Sequence, residues 1–324
     1  MSDLHVISVE QTRQVLCWSL VIDSVRKALE SIARNDSLVF PVQIMRGVVE
    51  TDIFAVKAGV EKKLGLVGFK FGGYWPGNAQ SGLPPHSSST ILLDRETGHP
   101  RALVSGQIVN LYRTAAADAV AVDCLARKNA SVLGVIGGGH QAEYEIRAIC
   151  HVRKLSLIKI YTRSAERGEW ITRRLGDLGV EIRLTDAESA VRGSDIVVTV
   201  TPSREPIVED EWVAEGTHIS AMGADTRGKQ ELATRLVTRA KLFADHVPQS
   251  ISIGEFQHAY GRNDIAAENV CPIGHVTAGA AVGRTSDRDT TIFDSSGTAI
   301  QDLAVAAAVF ERAVALGLTT RIDF

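Results

Sequence analysis

The chain has 324 residues, of which 45% are hydrophobic and 23% are charged. These fractions exclude a largely disordered chain, and the length suggests two domains of ordinary size. The formal net charge of −3 argues against a nucleic-acid-binding role. No apolar run approaches the roughly 20 residues of a membrane span, and the N-terminus lacks the pattern of a signal peptide. We therefore expect a cytoplasmic protein without membrane contacts.

The first third of the chain combines one helix with short strands. Apolar residues at helical spacing predict a helix over about 15–33. Residues 94–98 resemble a hairpin turn in which Gly98 supplies a left-handed conformation. We expect an α+β domain with a largely antiparallel sheet. Its predicted strands are 48–49, 54–56, 66–70, 90–93 and 102–104.

Strands and helices alternate from about residue 111 onward. An Ala-rich helix over 113–127 comes first, and helices over about 141–150 and 165–178 separate the next strands. This alternation is typical of a doubly wound parallel sheet. A last helix over about 299–316 is expected to stop at Gly317 and to return to the first domain. The predicted strands of this part are 131–136, 157–161, 180–184, 195–200, 218–222 and 241–244.

A glycine-rich turn follows the first of these strands. Residues 137–142 read GGGHQA, a G-x-G-x-x-A pattern between a strand and a helix. Gly137 permits the tight turn, Gly139 lets backbone N–H groups approach a pyrophosphate, and Ala142 lets the helix pack closely. The helix N-terminus adds partial positive charge. We predict a dinucleotide site; the alternative is a glycine-rich turn without a ligand.

The tip of the next strand distinguishes NAD from NADP. An acidic residue there binds the ribose 2′-hydroxyl, whereas arginine accommodates a 2′-phosphate. The tip carries Arg163 and Ser164, and the nearest acid, Glu166, lies beyond it. We therefore favour NADP(H), with NAD(H) as the alternative. The competing interpretation is that Arg163 is a solvated surface residue.

Several polar residues are candidates for substrate chemistry. Arg46, Lys70 and Arg113 stand beside apolar stretches or at the predicted start of a helix, and such cations bind carboxylates or serve structural roles. Asp225 follows the predicted strand 218–222 and is either a proton relay or a turn residue. His86 is a candidate hydrogen-bond donor, although a lone loop histidine is more often neither ligand nor catalyst. No spacing predicts a metal site.

Five segments in the same order resemble the ornithine cyclodeaminase/μ-crystallin family over nearly the whole chain. The resemblance implies an α/β fold in which a doubly wound Rossmann domain (119–297) is inserted into an α+β domain (1–118), which a C-terminal helix (298–324) rejoins. The α+β domain would bind substrate and form a homodimer, and the Rossmann domain would bind the nicotinamide cofactor. The segments are KFGGYWPGNAQSGL (70–83), LYRTAAA (111–117), VIGGGHQA (135–142), HISAMGADTRGKQEL (218–232) and FDSSGTAIQD (293–302).

The resemblance also implies roles for individual residues. Arg46, Lys70 and Arg113 would hold the substrate carboxylate, Lys70 would also touch the reacting centre, and Asp225 would be the acid/base. The expected substrate contacts also include His86, together with Ser295 and Gly297 in a loop beside the nicotinamide. The expected cofactor contacts are Thr114, Gly137, Gly139, His140, Gln141, Ala142, Arg163, Ser164, Thr201 and Met222.

One departure from the family pattern bears on the substrate. Ornithine cyclodeaminases carry a polar Gln-Thr pair where this chain has Pro84-Pro85, followed by His86. The segments GGYWPGN, GADTRGKQEL and SISIGEFQHA resemble the iminosuccinate reductase branch. We therefore expect an NAD(P)H-dependent imine reductase that converts iminosuccinate to L-aspartate. The alternatives are an ornithine cyclodeaminase, an alanine dehydrogenase, a pyrroline-2-carboxylate reductase, and a non-catalytic protein that binds NADPH and a small ligand.

Overall fold

The computed structural model describes residues 3–323, and these divide into two compact units. Residues 3–113 and 298–323 form the first unit, and residues 114–297 form the second. The boundary between 118 and 119 proposed from the sequence lies slightly later in the same helix. No helix within the described range is long and apolar enough to cross a membrane.

The first unit runs through two helices and then mainly strands, whereas strands and helices largely alternate in the second. Up to the helix that contains the boundary they are β1 (Asp3–Ile7), α1 (Val9–Val15), α2 (Trp18–Ala33), β2 (Ser37–Val39), β3 (Gln43–Arg46), β4 (Ile53–Glu61), β5 (Leu66–Tyr74), β6 (His86–Leu93), β7 (Pro100–Ser105) and α3 (Gly106–Leu125). The next group is β8 (Val132–Ile136), α4 (His140–Val152), β9 (Leu157–Tyr161), α5 (Ala165–Arg174), β10 (Glu181–Leu184), α6 (Ala187–Val191), β11 (Ile196–Thr199) and β12 (His218–Ala221). The last group is α7 (Thr234–Arg239), β13 (Lys241–Ala244), α8 (Val247–Ser250), α9 (Gln257–Gly261), β14 (Val270–Pro272), α10 (Ile273–Thr277), β15 (Thr291–Asp294), α11 (Ala299–Ala315) and β16 (Thr320–Asp323).

The first unit is built on a mixed sheet that is largely antiparallel, as predicted. Its strand order is β16-β1-β7-β6-β5-β4-β2, and β3 pairs with the other end of β4. The pair formed by β1 and β7 is parallel. Helices α2 and α11 pack on one face around Ala28, Ile300 and Ala304. The sheet approaches α11 closely because Gly59 has no side chain: a Cβ there would lie 2.7 Å from Cδ1 of Ile300.

The second unit is a parallel sheet of eight strands, and the predicted α/β fold is confirmed. The order is β10-β9-β8-β11-β12-β15-β13-β14. Its first five strands follow the order expected of a dinucleotide-binding fold. The sequence predicted six strands here and missed β14 and β15, which are only three and four residues long. β15 lies between β12 and β13, with Asp294 opposite Ala221 and Ala244.

Several local predictions need correction. Residues 48–49 are not a strand but part of the turn between β3 and β4. Helix α3 begins at Gly106, where a Cβ would collide with Ser88, so Arg113 lies two turns inside the helix rather than at its start. β5 continues to Tyr74, which places Lys70 in the middle of the strand. The helix predicted over 165–178 ends at Arg174 and is followed by a short 3₁₀ turn.

Other local predictions are confirmed. Gly98 has a φ of +72° in the hairpin turn, and Asp94 Oδ1 accepts backbone N–H groups within that turn. α11 ends at Ala315, and Gly317 follows with a φ of +68°. Both glycines occupy the left-handed region, where residues with a Cβ are disfavoured.

Candidate active site

The glycine-rich turn has the geometry of a dinucleotide cradle. β8 delivers the chain to Gly137, whose φ of +131° and whose approach to the Val200 carbonyl both require glycine. Gly139 is the N-cap of α4, and no side chain there accepts a hydrogen bond from the first turn of the helix. The space beside Gly139 is open, since a Cβ built there would meet nothing within 4 Å. The first N–H groups of α4 are therefore available to an anion. Gln141 and the buried Ala142 follow, so these residues fit the phosphates of a nicotinamide dinucleotide.

The tip of β9 is occupied by the residues predicted for it. Arg163 is exposed, and Ser164 Oγ caps α5 by accepting the N–H of Arg167 at 3.3 Å. Trp170, which the sequence analysis missed, contacts residues of both α5 and α4. Its ring lies 5.8 Å from the Arg167 guanidinium and 4.8 Å from the His140 ring. His140 is therefore held from the side by an aromatic contact.

A buried carboxylate holds the two loops that follow β11 and β12. Glu231 Oε1 accepts the backbone N–H of Thr201 at 2.6 Å, and Oε2 accepts the N–H of Gly223 at 2.9 Å and the hydroxyl of Thr199 at 2.8 Å. Glu255 in turn accepts the N–H of Glu231. Burial raises the pKa of Glu231, and these hydrogen bonds only partly oppose it. Thr201 and the buried Met222 lie in or beside loops that Glu231 positions, which sequence reasoning did not foresee.

Asp225 lies in the loop beyond β12, where the sequence placed it. Its carboxylate is about half exposed and pairs with Lys229 Nζ at 2.6 Å. The hydroxyl of Thr226 also donates to it at 3.0 Å. Lys229 donates to the Gly223 carbonyl as well, so the cation and the loop backbone fix the carboxylate together.

The loop after β15 is held by two side chains that the sequence analysis did not single out. Asp245 Oδ2 accepts the hydroxyl of Ser295 and the N–H of Gly297, each at 2.8 Å. Gln249 donates to the Gly297 carbonyl at 2.9 Å. Gly297 has a φ of +74°, so the turn itself favours glycine. Both predicted loop residues are thereby fixed within the second unit.

In the first unit, Lys70 and Arg113 meet on a shared acid. Lys70 Nζ lies 2.9 Å from Asp302 Oδ1 and 2.8 Å from Asn110 Oδ1. Arg113 Nε lies 2.9 Å from Asp302 Oδ1, and its Nη2 donates to Asn110 at 2.7 Å. The structure thus brings two sequence-predicted cations together and adds Asp302 and Asn110, which lie within or next to segments that carried the family resemblance.

This cluster is buried, and the burial changes its protonation. Desolvation, reinforced by the charges of Arg113 and Lys57, lowers the pKa of Lys70 to about 7, although Asp302 opposes the shift. Burial alone would raise the pKa of Asp302, but the charges of Arg113 and Lys70 hold it below its usual value. Lys70 is therefore poised to gain or lose a proton near neutral pH.

The same sheet face carries further predicted residues at a distance. Side chains alternate along a strand, so the row Lys57-Lys70-Thr90, the row Ala55-Gly72-Ser88 and the row Ile53-Tyr74-His86 share one face. Four residues along a strand correspond to roughly 13 Å. His86, whose ring lies 4.6 Å from that of Tyr74, is therefore removed from Lys70. Arg46 pairs with Ile53 at the same end and donates to the Glu50 carbonyl.

The sequence matches the ornithine cyclodeaminase/mu-crystallin family over residues 5–317. The chain belongs to this family. It is 36% identical to the iminosuccinate reductase of Paracoccus denitrificans over 98% of this chain and 99% of that one. It is also 36% identical to the alanine dehydrogenase of Archaeoglobus fulgidus over 98% of each chain.

Solved structures of the family superimpose closely. The iminosuccinate reductase of Paracoccus denitrificans in complex with NAD⁺ has a TM-score of 0.96 at 35% identity, covering 99% of this chain and 100% of that one. An archaeal alanine dehydrogenase dimer with bound NAD has a TM-score of 0.94 at 35% identity, covering 99% of each chain. The protein is therefore an NAD(P)-dependent oxidoreductase of the ornithine cyclodeaminase/mu-crystallin family that acts on amino or imino acids. The described residues include no group of three or more His, Cys, Asp or Glu side chains that could hold a metal ion.

Proposed function

We propose that the protein reduces iminosuccinate to L-aspartate. The observation that carries this proposal is the cluster in the first unit where Lys70 and Arg113 lie side by side, each 2.9 Å from Asp302. Neighbouring cations of this kind suit a substrate with carboxylates better than one with a cationic amino tail. Similarity to the iminosuccinate reductase of Paracoccus denitrificans supports the same substrate.

In the proposed reaction, the protein orients an α-imino acid and manages one proton. The nicotinamide, when bound, supplies a hydride to the imine carbon. Arg113 and Lys70 hold the α-carboxylate, which fixes the orientation of the carbon–nitrogen double bond. The imine nitrogen gains one proton as the carbon gains the hydride, and Asp225 is the proposed proton donor.

We assign cofactor binding to the glycine-rich cradle and its neighbours. Gly137, Gly139 and the first turn of α4 would hold the pyrophosphate. The loops that Glu231 organises would carry Thr201 and Met222 to the cofactor, and Thr114 is an additional proposed contact. Exposed Arg163 at the tip of β9, with the nearest acid in sequence, Glu166, beyond the tip, supports a preference for NADPH over NADH.

Alanine dehydrogenase activity is the second candidate. Its support is the identity to the Archaeoglobus fulgidus enzyme, which equals that to the iminosuccinate reductase at 36%. Ornithine cyclodeamination is less well supported, because Asp302 on this sheet face is already engaged by Lys70 and Arg113 rather than open to a substrate amine.

We also propose that the protein is a homodimer. The face of the first sheet opposite α11 is apolar: Phe71 is 42% exposed, and Phe54 lies beside Trp75 with ring centroids 6.4 Å apart. An exposed apolar face of this kind favours association. A second copy of the chain is the proposed occupant, because the similar archaeal alanine dehydrogenase was solved as a dimer. Light scattering should give twice the chain mass, and Phe71→Glu should give the monomer.

Initial rates of NADPH and NADH oxidation at 340 nm test the proposed activity. The substrates are oxaloacetate with ammonia, pyruvate with ammonia, and pyrroline-2-carboxylate, with ornithine and NAD assayed separately for ammonia release. We expect rapid oxidation only with oxaloacetate and ammonia. A preference for pyruvate with ammonia would establish the alanine dehydrogenase alternative instead, and silence across the panel with tight NADPH binding would favour a binding protein.

A further inference from the structure

We propose that Glu145 is a positioning residue for the bound dinucleotide, because it orients the side-chain amide of Gln141 in the first turn of α4. Asp118 of α3 in turn supports Glu145. This inference rests on the proposed assignment of cofactor binding to the glycine-rich cradle. Sequence analysis named Gln141 as an expected cofactor contact but singled out neither of the two acids.

Gln141 and Glu145 lie one helical turn apart on α4. Gln141 is the second residue of this helix and follows the exposed Gly139 and His140. Its Nε2 donates to Oε1 of Glu145 at 2.8 Å, as residues four apart on one helix face can do. A glutamine side chain in solution samples several rotamers. Fixing one rotamer before the cofactor arrives reduces the entropy that binding would otherwise cost.

The acceptor on Glu145 also decides which way the Gln141 amide faces. An amide group has two N–H donors on its nitrogen and two acceptor positions on its oxygen. Because Glu145 accepts from the nitrogen, the nitrogen and oxygen of Gln141 have defined places in the turn. An amide has the capacity to bind Glu145 and a phosphate oxygen or ribose hydroxyl at the same time. The side chain is therefore suited to complete the cradle that the backbone N–H groups begin.

Glu145 belongs to a buried pair of acids. Both Asp118 and Glu145 are inaccessible to solvent. Burial raises the pKa of Asp118 to about 6, and hydrogen bonding with Ser220 and Glu145 only partly opposes the shift. Two carboxyl groups form a hydrogen bond with each other only when one of them carries a proton. The pair therefore shares a proton, while Oε1 of Glu145 serves as the acceptor for Gln141.

The acid pair is anchored to the parallel sheet through β12. The hydroxyl of Ser220 lies 3.1 Å from Nε2 of His218, and Nδ1 of His218 lies 2.9 Å from the hydroxyl of Thr291 on β15. Burial lowers the pKa of His218 to about 3, so the ring is neutral. In a buried network of this kind, each side chain fixes the orientation of the next. The sheet thereby holds the acid pair in place under the first turn of α4.

A double-mutant cycle tests whether Glu145 acts through Gln141. The dissociation constant of NADPH or NADH, whichever the wild type binds more tightly, is measured by quenching of tryptophan fluorescence. We expect Gln141→Ala and Glu145→Leu each to raise it about tenfold, because a hydrogen bond to the cofactor is lost or misdirected. The double variant should also show about tenfold rather than about 100-fold, since the second substitution removes nothing further.

Two further readouts distinguish positioning from general damage to the fold. Glu145→Gln offers an oxygen to Gln141 and an N–H group to Asp118, so its dissociation constant should stay within about threefold of the wild type. At saturating cofactor, kcat of Glu145→Leu should also stay within about threefold, measured with any substrate of the panel that the wild type turns over. If Glu145→Leu does not fold, Asp118→Ala takes its place in the cycle with Gln141→Ala.

Glu143→Leu is the matched control. It removes another buried carboxylate of α4, which pairs with Arg147 and Arg174, and should lower the thermal midpoint while leaving cofactor affinity within about threefold. An unchanged dissociation constant in Glu145→Leu, an equal rise in Glu143→Leu, or additive losses in the double variant would each overturn the inference.

A separate variant tests the cradle on which the inference rests. Gly139→Asp places a negative charge at the N-terminus of α4 and should abolish cofactor binding. Normal binding by Gly139→Asp would mean that the cofactor assignment fails together with the inference. Loss of binding in Gly139→Asp, combined with additive effects in the double-mutant cycle, would contradict the inference alone.

Discussion

The sheet face of the first unit and the strand ends of the second both bury a carboxyl group. The groups that stabilise the buried carboxyl differ between the two regions. In the first unit, Asp302 is opposed by two cationic side chains, Lys70 and Arg113. In the second, Glu231 is surrounded by uncharged backbone N–H groups and hydroxyls, and burial raises its pKa. Opposite charges keep the first cluster ionic and able to bind an anion, whereas the second serves to fix backbone.

The largest effect should come from removing the central cation of the first cluster. Lys70→Ala deletes a group proposed to hold substrate at the reacting centre, so we expect kcat/KM to fall about 1000-fold or more. Cofactor affinity, followed by quenching of tryptophan fluorescence on NADPH addition, should stay near that of the wild type. Lys63→Ala is the control, and unchanged turnover in Lys70→Ala would remove Lys70 from the mechanism.

Neutralising the shared acid should destabilise the first unit. Asp302→Asn leaves Lys70 and Arg113 buried without an opposing charge, and we expect the free energy of unfolding in urea to fall by about 3 kcal/mol. Asp287→Asn, at an exposed position, should change it little. An equally small change in both variants would mean that the cluster is not held by charge.

The corresponding substitution in the second unit should lower the free energy of unfolding by a smaller amount. Glutamine in place of Glu231 keeps the shape of the side chain, but its NH₂ group would face one of the donors that the carboxylate now accepts. We therefore expect the free energy of unfolding to fall by about 1–2 kcal/mol. NADPH should also bind more weakly, because Thr201 and Gly223 lose their common acceptor. Glu166→Gln, exposed on α5, is the control. A loss equal to that of Asp302→Asn would erase the contrast between the two regions.

The lowered pKa of Lys70 gives the first cluster a pH dependence. Protonated Lys70 pairs with a carboxylate, and the fraction protonated falls as pH rises through about 7. We therefore expect kcat/KM to decrease about tenfold per pH unit above this value. The Lys70→Arg variant stays charged over the whole pH range, so its plot of kcat/KM against pH should not show this decrease. Any effect of pH on imine formation should be the same in both proteins. Identical profiles for the two proteins would contradict the assignment.

The smallest effect is expected at the tip of β9. Arg163→Ala removes an exposed cation proposed to meet a 2′-phosphate, so the KM for NADPH should rise about tenfold while that for NADH changes little. Both are measured from initial rates at saturating substrate. Equal changes for the two cofactors would reverse the preference proposed here.

The dinucleotide cradle was predictable because its parts are contiguous in sequence. The turn at 137–142 contains the glycines, the close-packing alanine and the start of α4, so local rules were sufficient. The charged surface of the first unit was only half predictable. Lys70 and Arg113 stood out as cations in apolar surroundings, but Asp302 is 232 residues from Lys70 in sequence. β14 and β15 escaped, whereas β12 and β13, which are also four residues long, were predicted, so strand length alone does not explain the omission.

The sequence by itself determined the alternation of strands and helices, the antiparallel character of the first sheet and the position of the dinucleotide turn, because propensity and hydrophobic periodicity are local. Tertiary structure alone decided which charges share a surface. The register of β4 and β5 sets Lys57 beside Lys70, and the packing of α11 brings Asp302 to both Lys70 and Arg113. Register and helix packing depend on burial across the whole unit, so no single segment encodes them.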